Sequence, residues 1–188
     1  MTESIDHITA LERAYDDLTR VVSNVGVDAL TMPTRCPGWD VRGLLNHTLG
    51  AAVMFTLANA GHAAGEDAGD LVGADPLRAL ADTSAANLAS WGDPGAREGD
   101  RAYPWGTFPA GVGLVINVSE VALHSWDLAT ATGQDARIDR DVAQAVYHLY
   151  LRIPIDDLRE KGVFGAAVNV PASAPVQQRL LGLLGRQV

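Results

Sequence analysis

The residues of this chain whose types and spacing could do chemistry are concentrated in two places. In INVSEVALHSWDLA, the residues Asn117, Glu120, His124 and Asp127 form a polar stripe through otherwise apolar sequence, and in GLLNHTLGA a single histidine, His47, stands among Leu44, Leu45, Leu49, Ala51 and Ala52. Glu120 and His124 have the i, i+4 spacing, which on a helix sets them one above the other on the same face, about 5–6 Å apart at Cβ. A carboxylate and an imidazole so placed converge on one point. If the helix carrying His47 packs face to face with theirs, His47 supplies a third ligand. Two imidazoles and one carboxylate bind a divalent metal and leave coordination positions open. A hydrogen bond from His124 would also satisfy Glu120 without a metal, since a buried carboxylate is costly only when unpaired. E-x3-H is a short pattern, and spacing alone leaves both readings open.

Asp127 and Asn117 extend the stripe one turn to either side. A ligating histidine usually donates its other ring N–H to a carboxylate or carbonyl, so Asp127 is a candidate partner for His47 or His124, with Asn117 as a further outer neighbour. Arg137, close in sequence, offers Asp127 an ion pair instead. Trp126 points to a different face and is expected to pack. His7, His62 and His148 lack a partner at ligand spacing and read as ordinary surface or helix-face histidines. Cys36, the only cysteine, reads as a small buried apolar residue rather than a nucleophile. The pattern is not H-E-x-x-H, so the arrangement in which two His ligands flank a catalytic Glu does not apply. No Ser-His-Asp order, Gly-rich phosphate loop or catalytic carboxylate pair is present.

The elements that must position these residues read as helices. Ile5, Ile8, Leu11, Tyr15, Leu18, Val22 and Val25 recur every three or four residues, predicting a first helix that ends near Gly26. Asp40 is a plausible N-cap for a second helix to about Ala60, which carries His47. A connector from Gly61 to Ala74 precedes a third helix opened by Asp75-Pro76 and running to about Trp91. The stretch GDPGAREGDRAYPWGTFPAG reads as a long irregular loop whose Tyr103, Trp105 and Phe108 either roof a pocket or cover the bundle end. A fourth helix, about Pro109 to Thr132, is apolar on every side in its first half, which implies burial among several neighbours, and it carries the polar stripe. A fifth, Asp139 to about Leu158, should be kinked or shortened by Pro154. The tail contains an extended piece and a short final helix from Pro175 to Leu184. Long helices with few strand signals predict an all-α helix bundle, whose core is where facing helices build metal sites.

Composition narrows the function classes. A chain of 188 residues fits one domain with a sizeable core. A formal net charge of −9 opposes binding to nucleic acid or anionic membrane, so the expected partners are small molecules or a second copy of the chain as a homodimer. A lone cysteine excludes an intramolecular disulfide and fits a reducing cytoplasm. The N-terminus lacks the pattern of a secretory signal, and the longest apolar run, Pro109 to Val118, is too short to span a bilayer.

The segments CPGWDVRGLLNH, PWGTFPAG, EVALHSWDLATATG and LLGLLGR, in this order, resemble the actinobacterial metal-binding families related to the N-terminal domain of mycothiol-dependent maleylpyruvate isomerase, in the DinB-like superfamily. The resemblance covers nearly the whole chain. It implies a single domain over residues 1–188 with a DinB-like four-helix bundle and a short C-terminal helix and extended segment. It also implies metal ligands at His47, Glu120 and His124, with zinc the usual metal and Fe2+ or Ni2+ accepted by the same donors. A low-molecular-weight thiol such as mycothiol is the implied cosubstrate. Zinc held this way lowers the pKa of a bound water or thiol, and the thiolate would add to an electrophilic carbon of a small substrate. The isomerase carries a second, C-terminal domain that helps form its substrate site, whereas this chain ends soon after the bundle. Metal ligation is therefore expected to carry over, and maleylpyruvate isomerisation is not. The expected function is a thiol-dependent transferase or isomerase, with a non-catalytic metal- or ligand-binding bundle as the alternative.

Overall fold

A computed structural model of the chain describes residues 5–62 and 69–187, and part of the expected Gly61–Ala74 connector lies outside them. Among the described residues the elements are α1 (His7–Val22), α2 (Val41–Asn59), α3 (Pro76–Gly92), β1 (Asp100–Tyr103), β2 (Gly106–Pro109), α4 (Ala110–Ala131), α5 (Arg140–Tyr150), α6 (Ile155–Glu160) and α7 (Val176–Leu183). Short 3-10 turns occupy Val27–Thr31 and Pro94–Arg97. The fold is all-α apart from one hairpin.

Helix starts follow from local chemistry. Asp6 accepts from the backbone N–H groups of Ile8 and Thr9, and Asp40 accepts from that of Gly43 at 2.7 Å. Asp75 and Asp139 cap α3 and α5 in the same way. Each satisfies donors that a helix N-terminus leaves orphaned.

Helices α1 to α4 form the bundle, in which α1 packs on α3 and α4, and α2 packs on the same two. Leu11, Leu18, Leu44, Phe55, Leu80, Trp91, Val118 and Val121 fill its centre. Helix α4 is buried along most of its length, as its apolar first half implied. Helix α5 lies against α1, α4 and α7. The side chain of Gln177 ties α7 to the segment before α5, accepting from Ile138 N–H at 2.9 Å and donating to the Ala136 carbonyl at 3.0 Å. This brings the end of the chain beside α4.

One expectation is sharpened and one is corrected. The helix expected over Asp139 to Leu158 is two helices, because Pro154 has no N–H to donate and the chain turns between Tyr150 and Ile155. The loop before α4 contains an antiparallel hairpin with Tyr103 paired to Gly106, in which Pro104 and Trp105 form the turn. Its aromatics do not roof the His–Glu–His group. Tyr103 packs edge-on against Phe55 at 5.1 Å and Trp105 stacks on Tyr103 at 5.4 Å. They cover the C-terminal half of α2, about 12 Å along the helix from His47 at 1.5 Å per residue. Gly113 on α4 makes room for the Tyr103 ring, since a side chain there would collide with it.

Candidate metal centre

The face-to-face packing of α2 on α4 brings the two sequence-distant segments together. The Nε2 atoms of His47 and His124 lie 3.4 and 3.3 Å from the same oxygen, Oε2 of Glu120. The imidazoles stand nearly perpendicular, with ring centroids 5.1 Å apart. One ligand atom from each of the three residues falls within 4.8 Å of the others. These spacings are longer than the usual 2.7–3.2 Å of a well-formed N–H···O bond. They match two donors around a tetrahedral zinc, which at bonds of about 2.0–2.1 Å stand roughly 3.3 Å from each other. The donor set therefore fits a divalent cation in both chemistry and spacing. The side chains of His47 and Glu120 are 38 % and 29 % exposed, whereas that of His124 is only 12 % exposed, so the group opens to solvent on one side.

Behind His124 stands Asp127. Its Oδ2 lies 3.2 Å from His124 Nδ1, and its side chain is 2 % exposed. A carboxylate can only accept, so Nδ1 carries a proton toward Asp127, which leaves Nε2 as the nitrogen a metal would take once its own proton is lost. The ion pair with Arg137 that the sequence suggests for Asp127 does not form, because Arg137 turns outward to Asp17 and Asp135. The cation that meets Asp127 is Arg186, donating through Nε to Oδ1 at 3.0 Å and through Nη2 to Oδ2 at 2.7 Å.

The ionisable groups of the cluster hold one another in their charged forms. Burial alone would raise the Glu120 carboxyl, but the neighbouring His124 and His47 outweigh it and hold the group well below the usual carboxylate range. Burial works against charge on His124 too, and Asp127, Cys36 and Glu120 overcome it, keeping the ring protonated well above its ordinary range. For Asp127, burial is again outweighed, here by His124 and Arg186, and the carboxyl is brought down to about 2.

Asn117 lies elsewhere. It is fully buried and its Oδ1 accepts from Trp91 Nε1 at 2.8 Å, so it joins α4 to α3 in the core rather than bordering the imidazoles. Three residues near the site were not assigned to it from sequence. Trp39 stacks on His47 with ring centroids 4.3 Å apart, Arg186 holds Asp127, and Cys36 is only half-buried, with Sγ 3.5 Å from Asp127 Oδ2. Trp39 also lines a shallow groove of about 480 Å³, together with Thr31, Cys36, Pro37 and Gly43 among others. The available signals were positional: Trp39 immediately precedes the cap of the helix bearing His47, and Arg186 follows a glycine at a helix end, where chains turn back.

The profile of the family described as the mycothiol maleylpyruvate isomerase N-terminal domain matches residues 11–129, a span that includes His47, Glu120, His124 and Asp127. Two uncharacterized proteins of Mycobacterium tuberculosis, MT0763 and Rv0738, are each 27 % identical over 186 residues, covering 98 % of this chain and 100 % of theirs. The crystal structure of a mycothiol-dependent maleylpyruvate isomerase superposes with a TM-score of 0.60 at 21 % identity, and a mutant form of that isomerase with 0.55 at 19 %. Both superpositions cover 75 % of this chain and 66 % of the isomerase, so the chain spans just under two thirds of that enzyme's length. At such identity the likeness establishes the fold. With the profile matched over more than half its length, the chain belongs to the mycothiol maleylpyruvate isomerase N-terminal domain family.

Proposed function

We propose that this protein is a divalent-metal-dependent thiol transferase or isomerase acting on a small electrophile, with the metal held by Nε2 of His47, Oε2 of Glu120 and Nε2 of His124. The observation that carries this reading is the convergence of the three donors at 3.3–3.4 Å spacings with one side open to solvent. Zinc is the metal this donor set favours, and Fe2+ and Ni2+ accept the same ligands. A divalent cation there would supply a Lewis acid that makes a thiol or water acidic at neutral pH.

The chain's own residues do the rest. Asp127 accepts a hydrogen bond from His124 Nδ1–H and so presents the other nitrogen as a ligand. Trp39 fixes the plane of the His47 ring. Exposure of His47 and Glu120 leaves a small molecule access, which favours a reactive centre over an enclosed structural one. A low-molecular-weight thiol of the mycothiol kind is the proposed cosubstrate, and the groove beside Trp39 is of the size that takes a small organic ligand. The lone cysteine and such a thiol both suit a reducing cytoplasm.

The test is elemental analysis of protein purified without chelator, followed by thiol consumption assays with conjugated alkenes and epoxides. Near-stoichiometric metal that disappears in His124→Ala, with turnover only when thiol is supplied, is the expected result. Metal content undiminished in that variant would reject the ligand assignment.

A further inference from the structure

This inference rests on the metal reading above. Asp127 touches the proposed ligand His124, yet a buried carboxylate can rotate about its Cβ–Cγ bond and present its oxygens in many directions. What fixes its plane is Arg186. The guanidinium donates to both carboxylate oxygens, through Nε to Oδ1 at 3.0 Å and through Nη2 to Oδ2 at 2.7 Å, and this fork leaves Oδ2 facing His124 Nδ1 at 3.2 Å. Lysine, as a point charge, cannot impose that orientation.

The chain reaches this position by a specific turn. Helix α7 ends in a Schellman motif, with Arg186 N–H bonded to the Leu181 carbonyl at 2.9 Å and Gly185 N–H to that of Gly182 at 3.1 Å. Gly185 has φ +79°, and a Cβ there would stand 2.7 Å from the backbone of Gly165. Only glycine permits the turn at this close approach. Two further tethers hold the same stretch: Arg159 Nη2 donates to the Leu183 carbonyl at 2.6 Å, and Arg35 Nη1 to that of Gln187 at 3.1 Å.

We propose that Arg186 is a positioning residue of the metal centre, acting through Asp127, and that the glycine turn ending α7 exists to insert it. The C-terminal helix is then part of the site as well as part of the packing.

The experiment is a Co2+ titration of the full-length protein, read by calorimetry and by the visible ligand-field spectrum. Arg186→Ala is expected to weaken Co2+ binding by up to about 10–100-fold, the usual effect of losing an outer partner of a ligating histidine, here Asp127, and to alter the spectrum. Arg186→Lys should recover part of the affinity. Because Arg186→Ala strands a buried carboxylate and could fail to fold, Asp127→Ala is compared with Asp127→Ala/Arg186→Ala, where no charge is left unpaired. If Arg186 acts through Asp127, the double variant binds Co2+ like Asp127→Ala alone. Arg159→Ala, which loosens the same segment without touching Asp127, should keep the parent affinity and spectrum. The inference is overturned if Arg186→Ala keeps the parent Kd and spectrum, if the double variant shows a further additive loss, or if Arg159→Ala weakens Co2+ as much as Arg186→Ala. A parent protein that takes up no Co2+ overturns the metal reading itself, and this inference with it.

Discussion

The indole of Trp39 lies on the imidazole of His47, ring centroids 4.3 Å apart and planes 28° from parallel. Of the three converging side chains, His47 is the most exposed, and it is the one that this stack immobilises. Trp39→Ala should therefore lower metal affinity severalfold by freeing the His47 ring, and Trp39→Phe should restore most of it, since a phenyl ring can still stack. Titration of both variants with Zn2+ checks this, and equal affinity in Trp39→Ala and the parent would exclude a role for the stack.

Acid should remove a definite part of the stability. Asp127 is depressed from 3.8 to about 2, so its contribution is fully present above the unfolded value and is lost as pH falls through about 2. The shift corresponds to about 2 kcal/mol at neutral pH. Urea unfolding at pH 5 and at about pH 2.5 should show a loss of at least this order, and the loss in Asp127→Ala should be smaller by the part that Asp127 supplies. Glu120, also held low, adds to the parent's acid sensitivity.

Alkaline conditions should separate the metal-free from the loaded protein. His124 is raised above the ordinary imidazole value of 6.5, so in metal-free protein its stabilising charge is present below 6.5 and fades as pH climbs toward the folded value. A metal ligand must instead be deprotonated, so cation affinity rises over the same range. Melting temperature in chelator should therefore decline above about pH 6.5, whereas in saturating Zn2+ it should rise or hold. Calorimetry in buffers of different ionisation enthalpy should detect a proton released on binding. No proton release at pH 6 would contradict the competition between proton and metal at His124.

At the other end of the bundle, Gly113→Ala should collide with the Tyr103 ring and cost about 1–3 kcal/mol through overpacking. That corresponds to a fall in Tm of roughly 3–10 °C. Metal affinity should be unchanged, because the hairpin aromatics rest on Phe55 and not on His47. Thermal melts and a Zn2+ titration of the same sample decide it.

The polar stripe was readable in the sequence because one helix carries it and the i, i+4 rule relates Glu120 to His124 directly. His47 needed only two amphipathic faces to meet. Asn117 shares the direction of the stripe but sits about 10 Å along the axis from His124, at seven residues and 1.5 Å each, where α3 packs and Trp91 takes its carbonyl. Helical periodicity does not report which neighbour stands at which level. Trp39 and Arg186 reach the site from a loop and from a turn after a helix, and no spacing rule links either to its partner. The hairpin was missed because its strands, DRAY and GTFP, are too short to show alternation. The break at Pro154 was legible because its cause is local.

Asp40 has two roles at once: it pairs with Pro33 across the base of the preceding loop, and its side chain caps α2. The loop that carries Cys36 and Trp39 is thus fastened to the first turn of the helix that carries His47. A displacement of the loop is thereby passed directly to the first turn of α2. Substitutions between Pro33 and Trp39 would be expected to reshape the groove they line while leaving the Asp40 cap, and with it the start of α2, in place.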